Sequence, residues 1–199
     1  MEFRWDTDAW ALIQRTDVWK QASARIAANP DPATANAVWQ GVDRSIRHAG
    51  RRTAVIVDVD GTLCDVSSVR HHVRPELGVE KDFDAFHRAS RTCPPNEQAI
   101  EFCRRHHAAG HVVVVVTARM DRHHDVTRDW LNQWMPVPFD GPFMREDGLR
   151  YSDVVIKRWI HRYLARSYDI VAACDDNPAI VGLWQELGIP VEVVPGWQE

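Results

Sequence analysis

Residues 53–60 read TAVIVDVD and run straight into Gly61-Thr62-Leu63. An unbroken apolar, mostly β-branched run of this length, closed by acids and a glycine, suits a strand buried on both faces, as in the middle of a parallel sheet. Such a strand delivers its last residues to the carboxyl edge of the sheet, where open α/β folds bind ligands. Asp58 and Asp60 therefore reach that edge together. Their two-residue spacing points both side chains the same way if the strand stays extended, and Gly61 permits a sharp exit. Neighbouring carboxylates repel each other, so the pair implies a cation between them or a shared proton.

Downstream, short β-branched runs alternate with helical periodicity. Strands are expected at 53–59, 111–117, 138–144 (the weakest), 169–174 and 191–194, with helices at 95–109, 122–134, 153–166 and 178–187. The alternation specifies an α/β fold, a Rossmann-like parallel sheet sandwiched by helices. Ahead of it, Trp10, Ile13, Val18, Trp19 and Ile26 recur at helical spacing over 6–28. A second amphipathic helix opens at Asp31-Pro32 and runs through Val38, Trp39, Val42 and Ile46 to Gly50. The 199 residues suffice for one buried core and an appendage. Residues 1–50 are thus expected to form a helical extension packed on a catalytic domain at 51–199, which carries a short cap or rim insert at about 64–94.

The other strand ends carry chemistry too. HVVVVVTAR brings Thr117 and Arg119 to the same edge, a hydroxyl and a guanidinium suited to an anionic, oxygen-rich group. DIVAACDDNP ends in Asp175 and Asp176. Between them, Asp153 and Lys157 lie four apart on a helix and share a face, where the acid can hold the ammonium. A DxD or a DD alone is common in turns. Their order and their placement at successive strand ends give the set its meaning: a hard cation with oxygen ligands, facing a phosphoryl group whose charge is met by Lys157, Thr117 and Arg119. Mg2+ fits best.

Composition removes other classes. No apolar run approaches the length needed to span a bilayer, and the acids and tryptophans of the first 14 residues do not make a signal peptide; a cytoplasmic location is expected. Cys64, Cys93, Cys103 and Cys174 form no CxxC pair, which leaves free thiols as the expectation. A net charge of −4 argues against nonspecific coating of nucleic acid and leaves room for a local basic site. No GxxxxGK[ST] loop is present in the sequence.

DxDGT, T-A-R, DxxxK and DD, in this order, resemble the motifs of the haloacid dehalogenase superfamily of phosphotransferases over about residues 53–196. The resemblance implies that Asp58 attacks phosphorus, that Asp60 is the acid/base, and that the metal is held by Asp58, by the carbonyl of Asp60 and by Asp176 with help from Asp175. VTRDWL, FMREDGLRYSDVVIK and CDDNPAIVGLWQELGIPVEVV are more particular. They are similar to the phosphatase domain of polynucleotide kinase 3'-phosphatases. That likeness implies functional roles for Arg119, Asp153, Lys157 and Arg70, the last fitting only after a one-residue insertion, with Arg74 as a nearby competitor.

Neither the roughly 55 residues between the first two motifs nor the roughly 40 between Thr117 and Lys157 hold a large cap. An open crevice admits the end of DNA or RNA, and the expected activity is a polynucleotide 3'-phosphatase. The alternatives are a nucleotide or other small-molecule phosphatase, and a noncatalytic phosphate-binding module. Arg70, His71, His72, Arg74, His87, Arg88 and Arg91 could form a basic rim or a merely solvated face. Phe83 and Phe86 could stack on a base or anchor the insert. His123 and His124 lie near the edge but lack partners at zinc-ligand spacing.

Overall fold

In the computed structural model the described residues are 24, 25, 27–29, 31, 51–74 and 80–196. The chain divides into two units, Met1–Arg51 and Arg52–Glu199. The helices expected at 6–28 and 31–50 lie, but for those few positions, outside the described residues.

The second unit is built on five parallel strands: β1 (Arg52–Val57), β2 (Val112–Met120), β3 (Phe139–Arg145), β4 (Tyr168–Asp175) and β5 (Val191–Val193), in the order β3-β2-β1-β4-β5. The TAVIV strand is therefore central, with Val57 paired to Val115 on one side and to Cys174 on the other. After α1 (Phe83–Ala89), which packs within the insert, four helices flank the sheet: α2 (Glu97–Ala108), α3 (His124–Trp134), α4 (Asp153–Leu164) and α5 (Pro178–Glu186). This is the Rossmann-like α/β arrangement that the alternation of runs predicts.

Burial follows the pleat. Val55 and Val57 point into a core shared with Ile100, Phe102, Trp130 and Leu131. Ala54 and Ile56 point the other way, onto Leu164, Ile180, Leu183 and Trp184. Each fully buried aliphatic side chain contributes about 1.5–3 kcal/mol, so the double layer holds β1 from both faces. Asn96 and Asn177 cap α2 and α5 by accepting from the backbone N–H groups of Gln98 and Ala179. Among the described residues no helix is long and apolar enough to cross a membrane.

Two local departures matter for the site. β1 stops at Val57, and Asp58 to Cys64 form a turn closed by Leu63 N–H to Asp58 O (3.2 Å), Cys64 N–H to Val59 O (2.8 Å) and Gly61 N–H to Cys64 O (2.9 Å). The strand does not stay extended through Asp60; Gly61, at φ +83°, makes the turn possible. β2, by contrast, runs on past Thr117 to Met120 and carries Arg119 in extended backbone.

The insert contributes the short 3-10 helix Ser67–His72 and α1. Val69, Val73 and Phe86 anchor it in the same core as Val55 and Val57. All four cysteines are free and buried.

Candidate active site

The turn after β1 and the end of β4 bring three carboxylates together. Oxygens of Asp58, Asp175 and Asp176 lie within 4.8 Å of one another, all buried. Lys157, one turn into α4, reaches between two of them and donates to Asp58 Oδ1 (2.7 Å) and Asp175 Oδ2 (2.8 Å). Trp184 Nε1 also donates to Asp175 Oδ2 (3.3 Å), and Asn177 N–H to its Oδ1 (3.2 Å). Thr62 Oγ1 donates to Asp176 Oδ1 (2.9 Å), while Asp176 Oδ2 is buried with no hydrogen-bond partner.

Three acids against one ammonium leave an excess of negative charge. Burial pushes the Asp58 carboxyl well up; Lys157 opposes that shift, and Asp175 and Asp176 add to it. Burial also lifts Asp176 to about 7, against the Thr62 hydrogen bond and with Asp175 adding to the rise. Burial works against the Lys157 ammonium, but Asp175 and Asp58 outweigh it and hold the proton more firmly than in water. A set of hard oxygen donors with an orphaned buried oxygen and surplus negative charge fits a small divalent cation such as Mg2+.

The second half of the site is a clamp. Arg119 holds Asp60 through both carboxylate oxygens, Nε to Oδ2 at 2.8 Å and Nη2 to Oδ1 at 2.5 Å. Its Nη1 donates to Thr127 Oγ1 (3.0 Å) and its Nη2 to Ser90 Oγ (2.9 Å). Burial alone would raise the Asp60 carboxyl. The Arg119 charge and hydrogen bonds, aided by His87 and Lys157, win and hold it below the usual carboxylate range. Thr117 is buried at the crevice floor, its Oγ1 accepting from Arg119 N–H (3.3 Å).

A family model of the polynucleotide kinase PNKP phosphatase domain matches residues 52–196, the span that carries every element of this site. The chain belongs to that family. It is thereby a phosphoric monoester hydrolase of the haloacid dehalogenase type. A candidate bifunctional polynucleotide kinase/RNA ligase of Autographa californica nuclear polyhedrosis virus is 28% identical over 80 residues, 40% of this chain and 12% of that protein. Among solved structures, a chain of the Pnkp1/Rnl/Hen1 RNA repair complex superposes with a TM-score of 0.60 at 20% identity, covering 73% of this chain and 43% of that one. The class C acid phosphatase of Bacillus anthracis with tungstate bound gives 0.53 at 16% identity, covering 72% and 60%. These two likenesses establish the fold. The chain thus spans less than half of the repair proteins that it matches.

Within this PNKP-type domain, several residues sit differently from their sequence-based roles. Arg119 is turned onto Asp60, Thr127 and Ser90, so its guanidinium is engaged by protein groups and not held out toward a substrate. Asp153 does not hold Lys157. It pairs with Arg145 at the crevice mouth, because Lys157 is long enough to pass it and reach the deeper acids. Arg70 and Arg74 fall outside the described lining of the crevice, and of the proposed basic rim only His87 lines it. Burial drives His87 to about 4, against the pull of Asp60, so this residue is neutral at pH 7. The two phenylalanines separate: Phe86 is a core anchor, whereas Phe83, 44% exposed, lies at the crevice mouth. His123 is buried against Asp84 (2.8 Å), and His124 is half-buried.

Sequence reasoning missed Ser90, Thr127, Arg145 and Gly196. A Cβ on Gly196 would lie 2.2 Å from Gly61 O and 2.4 Å from Asp176 Oδ2. The glycine is needed because the chain passes directly against the metal-side carboxylate. Arg145 had a usable signal, since it ends β3 just as Asp175 ends β4 in the same sheet. Ser90 and Thr127 had none, being polar residues within otherwise ordinary helical stretches.

Proposed function

We propose that the domain is a Mg2+-dependent phosphomonoesterase acting through an aspartyl-phosphate on Asp58, and that its substrates are 3'-phosphorylated DNA or RNA ends. Lys157 holds one oxygen of Asp58, leaving the other for in-line attack on phosphorus. As the new P–O bond forms, the bond to the leaving oxygen breaks, and Asp60 supplies the proton that the leaving alcohol takes up. Asp60, now a carboxylate, takes a proton from water, which attacks the same phosphorus and releases inorganic phosphate and free Asp58.

Asp58, Asp176 and the Asp60 carbonyl would hold the Mg2+, with Asp175 behind them; when bound, it offsets the charge of the phosphoryl oxygens. Thr117, at the crevice floor, and Lys157 meet the remaining phosphoryl charge, and Asp153 and Arg145 stand at the mouth, where the rest of the substrate must pass. The Arg119 clamp suits Asp60 as a base. The protonated fraction that starts the reaction is therefore small at neutral pH, which favours mildly acidic conditions.

The carrying observation is that the family match spans a site whose surplus carboxylates, ammonium and clamped acid/base are all in reach of one crevice. The absence of a large cap among the described residues, and the RNA-repair setting named for one structural relative, favour a polymer end. The test is hydrolysis, with Mg2+, of a 3'-phosphorylated oligonucleotide against free 3'- and 5'-mononucleotides. The oligonucleotide is expected to be preferred; preference for mononucleotides would replace this reading with a small-molecule phosphatase.

A further inference from the structure

Three of the most exposed aromatic side chains among the described residues share one face beside the crevice. They are Tyr151 (52% exposed), Trp159 (41%) and Tyr163 (61%). Trp159 and Tyr163 stand four apart on α4 and so lie one above the other. Tyr151 packs edge-on against Trp159 at 4.9 Å, and Phe143 lies beside Tyr163 at 6.1 Å. A groove of about 260 Å³ runs along Phe143, Trp159 and Tyr163 over Leu149, Ile156 and Ile160, with Tyr151 beside it against Trp159. Exposed aromatics gathered in this way mark a binding surface, whereas scattered ones do not.

The charge on this face identifies the occupant. Residues 154–168 contain no acid, but they contain Lys157, Arg158, Arg162, Arg166 and His161, in a chain whose net charge is −4. Arg158 pairs with Glu186, and Lys157 belongs to the catalytic site. Arg150, Arg162 and Arg166 are exposed and make no ion pair among the described residues. Glu146, at the crevice end, is the one acid lining the groove. Aromatic faces interleaved with free arginines are the requirement for a single-stranded nucleic acid, which stacks bases on rings and lays phosphates on guanidinium groups.

The groove also borders the catalytic crevice, since Arg145 lines both. From Asp153 at the crevice mouth to Tyr163, α4 rises roughly 15 Å, the reach of a few nucleotides. We infer that this aromatic and arginine face is a track for the single strand leading to the phosphorylated end, with bases stacked on Tyr151, Trp159 and Tyr163. The inference rests on the polynucleotide reading above.

Length dependence separates the two. For 3'-phosphorylated oligonucleotides of one to eight residues, kcat/KM is expected to climb over the first few nucleotides and then level off. Trp159→Ala and Tyr163→Ala should each remove roughly tenfold of that gain, leaving hydrolysis of the 3'-mononucleotide unchanged, while Trp159→Phe keeps it. An Arg150→Gln/Arg162→Gln pair should flatten the salt dependence for the longer substrates only. Melting temperatures near wild type confirm that the variants are folded. If 3'-phosphorylated oligonucleotides of every length are refused, the functional reading falls and takes this inference with it. If they are hydrolysed without a length gain, or the alanine variants keep that gain, the inference alone is overturned. Sedimentation showing a wild-type dimer that Trp159→Ala converts to monomer would assign the face to a second copy of the chain instead.

Discussion

The two halves of the site solve the burial of charge in opposite ways. On the β4 side, Asp58, Asp175 and Asp176 cluster around one ammonium that bonds only the first two, and burial raises both Asp58 and Asp176. On the β2 side, Asp60 is matched by a bidentate guanidinium that Thr127 and Ser90 hold from behind, and its carboxyl is lowered. The first half carries surplus negative charge of the kind a cation would offset. The second is neutral as it stands. Two aspartates a single residue apart are thus driven in opposite directions by what faces them, the usual basis for dividing labour between two acids.

Asp58→Asn should reduce turnover by roughly 10⁴-fold or more and abolish acid-stable labelling of the protein by a radioactive phosphate ester; normal turnover would remove the covalent mechanism. Arg119→Lys loses the fork that grips both Asp60 oxygens, and kcat should fall by about 10²–10³. Because Asp60 is then less firmly ionised, the alkaline limb of the pH–rate profile should move to higher pH; an unmoved profile would show that the clamp does not set Asp60.

Smaller effects sharpen the picture. The folded chain keeps His87 neutral down to about pH 4, whereas the unfolded chain takes up its proton near 6.5. His87 thus contributes stability that is complete above pH 6.5 and lost as pH falls toward 4, at most about 3 kcal/mol. His87→Gln should show a shallower acid limb in denaturant titrations, and an identical limb would place the proton elsewhere. In the metal-free protein, Asp176 does the reverse: its raised carboxyl makes stability decline as pH rises from 3.8 to about 7. Mg2+ at ten times its Kd should add about 1.4 kcal/mol at neutral pH, read as a rise in Tm that Asp176→Asn removes.

Much of this arrangement was legible in the residues themselves. The apolar run before Asp58, the valine run before Thr117 and the run before Asp175 define three neighbouring strands, because only buried parallel strands are apolar on both faces. Their order along the chain and their terminal acids were sufficient to bring Asp58, Asp60, Asp175, Asp176, Thr117 and Lys157 to one crevice. The pairing among them was less legible. Asp153 and Lys157, four apart, read as partners, yet the lysine passes its helical neighbour and buries its charge against Asp58 and Asp175. A long side chain takes the deepest acid that it can reach, because an ion pair is worth more where water is excluded.

The fold class, the central strand and the residues at its edge follow from local periodicity and from where parallel strands end, and so were readable in the residues alone. What each charged group faces depends instead on how the elements pack. Arg119 could meet a substrate phosphate or Asp60, and the choice depends on Ser90 and Thr127, which approach from the insert and from α3. Gly196 likewise acquires its meaning from a carboxylate 20 residues away in the chain that lies against its backbone. Electrostatic roles depend on distances between elements, and those distances are set by packing.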